Sequence, residues 1–434
     1  MTEAGAVRAV VLNYNGGDLT LECLRRLCAT DWPADRFEVV LIDNASSDNV
    51  VARTRDELPN VSIVTSGQNL GFAGGCNLAL RDLDGVDYVA LVNSDVLVEP
   101  GWLVPLTRAL DRNPTVGAAC PKMLFAWHFR EMELRCDTHR RGRLDSRRLG
   151  VRLSGTRVDG SDVWRETQLY KGFWGPEQGP PPESSFQWTS EQAVLRVPVA
   201  VQNPAEECEL RLAADEVSAV SVRSGGHQLE LKVGPEPEWH TVPLRGRPFD
   251  VVNNVGTVLT GDGYGVDRGY LERDLGQFGN PEYVFAWSGG AVLLASRYLQ
   301  DVGLFDERLF LYYEDLELAW RGHERGWRYR YVPDSVVRHV HAASTVPGSS
   351  LFDFYNERNR LLTLTRHADG RTVIKALARY LLITGSYARR DIVSPIVRGQ
   401  TPRLRVPLRR LRAFAAYLWM SCFGSNSAPK AGRR

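Results

Sequence analysis

The sequence predicts an α/β protein: a mostly parallel sheet with helices on both faces, interrupted by a small β-sandwich and followed by a helical tail. Three observations lead there. Short apolar runs, of the kind that form strands buried on both faces, alternate with stretches of helical period over roughly the first 125 residues. Several of these runs stop abruptly in small polar residues, as strands do where an open α/β sheet offers its carboxyl edge to a ligand. Between about residues 190 and 244 the helical period gives way to alternating runs separated by Gly and Pro turns.

Val7 to Asn13 is the first strand, running into Asn13-Tyr14-Asn15-Gly16-Gly17. Leu19, Cys23, Leu24 and Leu27 then repeat at helical spacing. Val39 to Ile42 ends in Asp43-Asn44-Ala45-Ser46-Ser47-Asp48. Val61 to Thr65 leads to Asn69-Leu70-Gly71-Phe72-Ala73-Gly74-Gly75-Cys76-Asn77, which opens another helix. Tyr88 to Val92 stops at Asn93-Ser94-Asp95. Each cluster taken singly has an ordinary reading, Asp43 or Asp95 as a helix cap and the glycines as a turn. Glycines at a helix start also let backbone N–H groups approach a phosphate. Four such features at one sheet edge indicate a nucleotide site.

From about His128 the sequence turns Arg-rich and irregular (Arg140, Arg141, Arg143, Arg147, Arg148), then passes through the Gly179 to Pro182 loop. Alternating runs follow at Ala193 to Val201, Cys208 to Leu212, Val217 to Val222, Gln228 to Val233 and Thr241 to Leu244. Trp164, Trp174, Trp188 and Trp239 would either stack on sugars or fill the sandwich, and filling is the favoured reading.

Three stretches follow: Asn253-Asn254-x-Gly256, then Asp267-Arg268-Gly269 leading to Gly276-Gln277-Phe278, then Trp287-Ser288-Gly289-Gly290-Ala291 before an apolar run. Spacing assigns the second no chemistry; it reads as a solvated loop or a lid. The glycines at 289 and 290 allow a tight backbone approach. In Phe310 to Arg321 the acids Glu314, Asp315 and Glu317 fit an amphipathic helix, yet a Glu-Asp pair beside aromatics also suits a carboxylate base. His339 and His341 alternate on an extended segment and so share a face.

Bulk properties narrow the classes. A chain of 434 residues holds two or three domains, and a net charge of +1 offers no global case for nucleic acid. From Val346 onward, however, 17 Lys/Arg stand against four Asp/Glu, a balance of +13. Helical stretches at Thr372 to Arg390 and Leu408 to Phe423 lie in that tail; the second, with its arginines and aromatics, suits the surface of an anionic leaflet or packing on the catalytic domain. Residues 425–434 read as disordered. Seven dispersed cysteines without C-x-x-C favour a reducing, cytoplasmic compartment. No signal segment and no 18-residue apolar window are evident.

In combination, Asn13-Tyr14-Asn15, Asp43-Asn44-x-Ser46-x-Asp48, Asn69-Leu70-Gly71-Phe72-Ala73-x-Gly75-x-Asn77 and Asn93-Ser94-Asp95 closely resemble the inverting glycosyltransferases of family 2, in their rhamnosyltransferase-like branch. The later Asn253, Asp267, Gly289-Gly290 and Phe354-Tyr355-x-x-Arg358-Asn359 stretches match the same branch. The resemblance implies a GT-A fold and a nucleotide-diphosphate sugar donor, dTDP- or UDP-linked, with Mg²⁺ or Mn²⁺ as cofactor. It implies that Asn13, Tyr14, Asn15, Asp43, Asn69, Gly71, Gly74, Asn77, Asn93 and Ser94 bind the donor, and that Asp95 and His339 hold the metal. Trp287, Gly289, Gly290 and Ala291 would line the acceptor pocket. Asp315 would be the base, with Glu314 tuning the pair, and Arg358 a phosphate contact. The departure is Asn93 where the family's first metal-site aspartate is usual, leaving one carboxylate.

The expected plan is a donor half at 1–127, an insert at 128–248, an acceptor half at 249–345 and a basic helical region at 346–434. The expected activity is inverting transfer, with rhamnose as candidate sugar, to a glycan or polyprenyl-linked acceptor at the inner membrane face. A sugar nucleotidyltransferase would want a Gly-rich, Arg-containing loop after the first strand. A non-catalytic glycan-binding scaffold would dispense with Asp43, Asp95 and Asp315.

Overall fold

The computed structural model describes residues 4–141, 147–178, 185–340, 349–397 and 399–423. It divides into two compact units, one of residues 1–124, 253–270 and 276–434, the other of 125–252 and 271–275. His341, Ser344, Thr345, Arg143, the Gly179 to Pro182 loop and the 425–434 tail lie outside the described residues.

The first unit is laid on one sheet. Strands β1 (Val7–Asn13), β2 (Phe37–Asp43), β3 (Ser62–Thr65) and β4 (Tyr88–Asn93) pair in parallel in the order β3-β2-β1-β4. Buried Val, Ile and Leu side chains on both faces of β1, β2 and β4 explain their unbroken apolar sequences. Helices α1 (Gly17–Cys28), α2 (Val50–Glu57) and α3 (Gly71–Leu80) make the crossovers. Helix α1 turns Leu21, Leu24 and Leu27 inward, carries Asp18 in its first turn and ends with Arg25 and Arg26, which complement its dipole.

Register aligns the strand ends. Asn13 lies opposite Asp43, Leu12 opposite Asn93, and Asp43 opposite Thr65. The strand order reverses between β1 and β4, the switch point at which open α/β sheets bind ligands.

After β5 (Val96–Val98), α4 (Leu103–Asp111) and β6 (Val116–Phe125), the chain enters the second unit. On return, β7 (Ala291–Ala295) pairs antiparallel with β4 and β6, and β8 (Arg328–His339) pairs antiparallel with β5. Between them lie α5 (Ser296–Val302) and α6 (Glu314–Glu324). The C-terminal helices α7 (Ser350–His367), α8 (Gly370–Ala388) and α9 (Arg405–Phe423) gather Leu361, Leu364, Tyr380, Tyr417 and Met420 around Leu309. Ser349 and Asp369 cap α7 and α8 through hydrogen bonds to backbone N–H groups.

The second unit is antiparallel throughout its strand pairs. Strand Gln187–Val199 pairs at its start with Arg152–Val158 and farther along with His128–Cys136, so it passes from one layer of the sandwich to the other. Met132, Leu134, Leu195, Leu210, Val220 and Val222 fill the space between. The stretch expected to be irregular is therefore ordered from its start: Met132, Leu134 and Cys136 alternate inward against Glu131, Glu133 and Arg135, a period-2 signal hidden by the charge. Trp188 is fully buried, Trp164 packs on the core, and Trp239 lies beneath the Arg157 guanidinium at 4.0 Å. Trp174 lines a cleft of about 730 Å³ with Arg135, Glu191, Gln192 and Glu230.

Candidate active site

The carboxyl edge of the parallel strands is held by a lattice of small polar side chains. Asn13 is fully buried; its amide donates to Ser46 Oγ (3.0 Å) and Asp48 Oδ1 (3.2 Å), and its Oδ1 accepts from Gly16 N (3.0 Å) and Thr20 Oγ1 (2.9 Å). Asn15, at φ 58°, accepts the Ser47 N–H at 2.7 Å. Asp43 is 9% exposed at the end of β2, while Tyr14 is open to solvent. Asn13 thus shapes the edge from beneath, and Tyr14, Asp43 and Ser94 remain nearer its surface.

The glycine loop does something the sequence did not reveal. Gly71 sits at φ +70°, and a Cβ there would lie 2.2 Å from the Phe310 carbonyl oxygen. That oxygen accepts the Phe72 N–H at 2.7 Å, so the start of α3 is capped by the protein's own backbone. Asn69 accepts the Gly71 N–H and Asn44 spans the loop. Asn77 is tied by its amide to Phe305 O (2.9 Å) and Glu307 (3.0 Å). Gly71 and Asn77 therefore serve close packing of α3 on the 305–310 loop, Asn69 ties the loop to Asn44, and Gly74 gives room to Leu70.

At the end of β4, the Asn93 N–H donates to Gly290 O at 2.9 Å, placing Asn93-Ser94-Asp95 beside the 288–290 turn. The Asp95 carboxylate meets His339 Nε2 at 3.0 Å, and His339 Nδ1 meets Asn253 Oδ1 at 3.1 Å. Strand pairing of β5 with β8 sets this contact, with Val96 opposite His339. Two residues 244 apart in sequence share one hydrogen bond because their strands are neighbours.

Asp315 stands in the first turn of α6. Its Oδ2 accepts the Gly289 N–H at 3.0 Å and its Oδ1 the Leu316 N–H at 2.7 Å. Burial pushes its carboxyl up from 3.8 to about 6, against those two N–H groups and with help from nearby Asp267. Asp267 is itself pushed up by burial and held back by Asn254, whose amide donates to it at 2.5 Å, and by His339. Asp267 thus lies within electrostatic reach of both Asp315 and His339, a member of the cluster that spacing alone left without chemistry. Its signal was the Asn-Asn-x-Gly turn opening the Thr257–Leu259 and Gly265–Asp267 hairpin.

Three expectations need correction. Trp287 is fully buried, with its ring centroid 4.6 Å from Tyr329 and 5.8 Å from Tyr298, so it has no face for an acceptor. Ala291 is equally enclosed in β7. Arg358 is buried and donates to the Arg308 and Leu309 carbonyls at 3.0 and 2.9 Å, leaving it a backbone brace with no phosphate role.

The sheet order and the aligned polar edge are those of the GT-A fold. Residues 9–158 match the family model for glycosyl transferase family 2. Two curated relatives from Mycobacterium tuberculosis, both N-acetylglucosaminyl-diphospho-decaprenol L-rhamnosyltransferases, are 45% identical over 60 residues. That stretch is 14% of this chain and 20% of theirs, so the chain spans about a fifth of the length of these relatives. Among solved structures, the mannosyltransferase PcManGT from Pyrobaculum calidifontis in complex with GDP-Man and Mn²⁺ aligns over 96% of this chain and 88% of its own, at 14% identity and a TM-score of 0.42. TarS from S. aureus in complex with UDP-GlcNAc aligns over 95% and 81%, at 13% identity and a TM-score of 0.42.

Proposed function

We propose that this protein transfers a sugar, with inversion, from a nucleoside-diphosphate donor to a lipid-linked or cell-surface glycan acceptor. One observation carries the reading: Asp315, lifted to about 6 and oriented by the Gly289 N–H, stands at the 289–290 turn that also receives the Asn93 N–H, two residues before the Asp95–His339 pair. A single in-line displacement at the anomeric carbon, with the acceptor hydroxyl forming the new bond as the diphosphate leaves, needs one base and stabilisation of that leaving group, and no nucleophile from the protein. Asp315 takes the proton of the acceptor hydroxyl; Gly289 fixes the carboxylate that receives it.

Among the described residues no three His, Cys, Asp or Glu side chains form a complete metal cage. The donor set nonetheless suits a hard divalent cation that keeps positions for phosphate oxygens. Mg²⁺ or Mn²⁺ would be held by the Asp95 carboxylate and His339 Nε2, with Asn253 accepting the ring's other N–H, as metal-binding imidazoles are usually steadied. The ion supplies charge neutralisation for the departing diphosphate. Rhamnose as the sugar and a polyprenyl-linked acceptor follow the names of the 45%-identical relatives; dTDP or UDP as the nucleotide follows the motif resemblance.

The tail suits a membrane surface. Helix α9 buries Ala413, Tyr417 and Met420 toward its neighbours, yet turns a second apolar stripe outward: Leu408, Leu411, Leu418 and Trp419, the last 65% exposed. Residues 370–423 hold eleven Lys/Arg and one acid, Asp391, which is buried. No described helix is long and apolar enough to cross a membrane. An anionic leaflet satisfies both the stripe and the charge.

A donor screen tests the activity: purified protein with several dTDP-, UDP- and GDP-sugars, with Mg²⁺, Mn²⁺ or chelator, following nucleoside-diphosphate release. Release from one donor, lost in chelator and reduced about a thousandfold in Asp95→Asn, is expected. No release from any donor, or release indifferent to Asp95→Asn, would overturn the reading.

A further inference from the structure

The backbone leading into Asp315 follows a path that residues of its kind avoid. Phe310, Tyr312 and Tyr313 all have positive φ, at 65°, 68° and 70°, and none is glycine. Such residues are strained and persist only where the surroundings over-determine them. Tyr313 is the residue from which α6 starts, and Glu314 and Asp315 form its first turn.

Helix α7 supplies the determination. The Asn359 amide donates to three carbonyls of this segment, Leu309 at 2.9 Å, Leu311 at 2.9 Å and Tyr312 at 2.7 Å. Its own Oδ1 accepts from Arg358 Nε at 2.8 Å, and Arg358 Nη2 reaches the Arg308 and Leu309 carbonyls. Asn359 is fully buried, so no water replaces these bonds. Tyr355, one turn earlier, stacks on Phe310 with centroids 5.1 Å apart and planes 19° from parallel. The same Phe310 offers its carbonyl to the start of α3, so one strained segment sets both the glycine loop and the carboxylate.

We infer that Arg358 and Asn359 are positioning residues for the transfer, holding Leu309–Tyr313 in the left-handed path that aims Asp315 at the Gly289 N–H. They touch no reacting atom. Their motif belongs to a basic tail that otherwise reads as a membrane element, so the tail helices also complete the base's setting. The inference rests on Asp315 being the base.

Asn359→Asp tests it, since the side chain keeps its shape while the amide donors become an acceptor facing three carbonyls. Amide hydrogen exchange over residues 309–316 should quicken about tenfold or more while β1 to β4 stay protected. With the donor identified by the screen, kcat should fall about a hundredfold while donor KM stays within about threefold, the signature of a displaced base. Tyr355→Leu, which removes the stacking on Phe310 and the ring beneath the Arg358 guanidinium, should show the same pattern at about a tenth of the size and carries the test if the first variant aggregates. Unchanged exchange at 309–316 overturns the clamp. Faster exchange with unchanged kcat, or loss of donor affinity alongside kcat, overturns the positioning role. If the wild-type protein uses no donor, the proposed function falls, and the exchange measurement still decides whether α7 holds this segment.

Discussion

Glu314 and Asp315 are neighbours in sequence but not in surroundings. Glu314 is 6% exposed, within electrostatic reach of Cys76 on α3, and its Oε2 has no hydrogen-bond partner among the described residues. Burial first, and the Asp315 charge second, hold its carboxyl well above the usual range. Asp315 has two N–H groups to support its charge and ionises near pH 6. Glu314→Gln, neutral and of equal shape, should leave kcat within about threefold, whereas Asp315→Asn should remove about three orders of magnitude; steady-state kinetics on both variants separates the roles. The pH dependence carries a sign. A base must be ionised, so kcat/KM should rise with pH and level off above about 6. Stability runs the other way, because a carboxyl raised from 3.8 to about 6 costs the folded state progressively as pH climbs through that window. Asp315→Asn should therefore stabilise the protein at pH 7.5, by up to about 3 kcal/mol and with a higher melting temperature, and leave stability unchanged at pH 4. A variant less stable at pH 7.5 would contradict the burial cost.

At the scale of elements, the glycine loop and the 305–313 segment are a matched pair. Asn77 holds its beginning through the Phe305 backbone, and Gly71 leaves room for the Phe310 carbonyl. Gly71→Ala introduces a Cβ 2.2 Å from that oxygen on a backbone of positive φ. It should destabilise the protein by about 2–4 kcal/mol in chemical denaturation, where an alanine in an unstrained loop costs under about 1. The strands and most helices were legible in sequence, because an apolar period depends only on neighbours a few residues away. The strand at His128–Cys136 was not, since its outward charges outweigh a true alternation. The full reach of β8, Arg328–His339, was hidden likewise, as Pro333 and Asp334 interrupt a strand whose partners come from elsewhere in the chain.

At the scale of the molecule, the C-terminal region answers two demands. Its inner faces close over Leu309, and its outer stripes, with Leu382 at 75% and Phe423 at 78% exposure, await an apolar neighbour. Vesicle co-sedimentation checks the proposed partner. The wild-type protein should bind vesicles rich in anionic lipid and release from them as salt rises, and should ignore purely zwitterionic ones. Leu418→Asp with Trp419→Asp should weaken binding about tenfold or more while transfer to a soluble acceptor analogue persists. Equal binding to neutral vesicles would point away from the charged tail as the anchor.

The sequence by itself determined the α/β class, the four polar strand ends and the identities of Asp43, Asp95, Asp315 and His339 as residues worth finding together. Local pattern suffices for that, since a strand end and a small polar cluster are written in consecutive residues. Only the tertiary structure decided which of them meet and which are enclosed. Asn13 and Asn77 spend their hydrogen bonds inside the scaffold, Trp287 and Glu314 are shut in the core, Asp267 joins the cluster, and Arg358 and Asn359 grip the backbone before the base. Each of those outcomes depends on burial and on partners tens to hundreds of residues away, which no window of sequence contains.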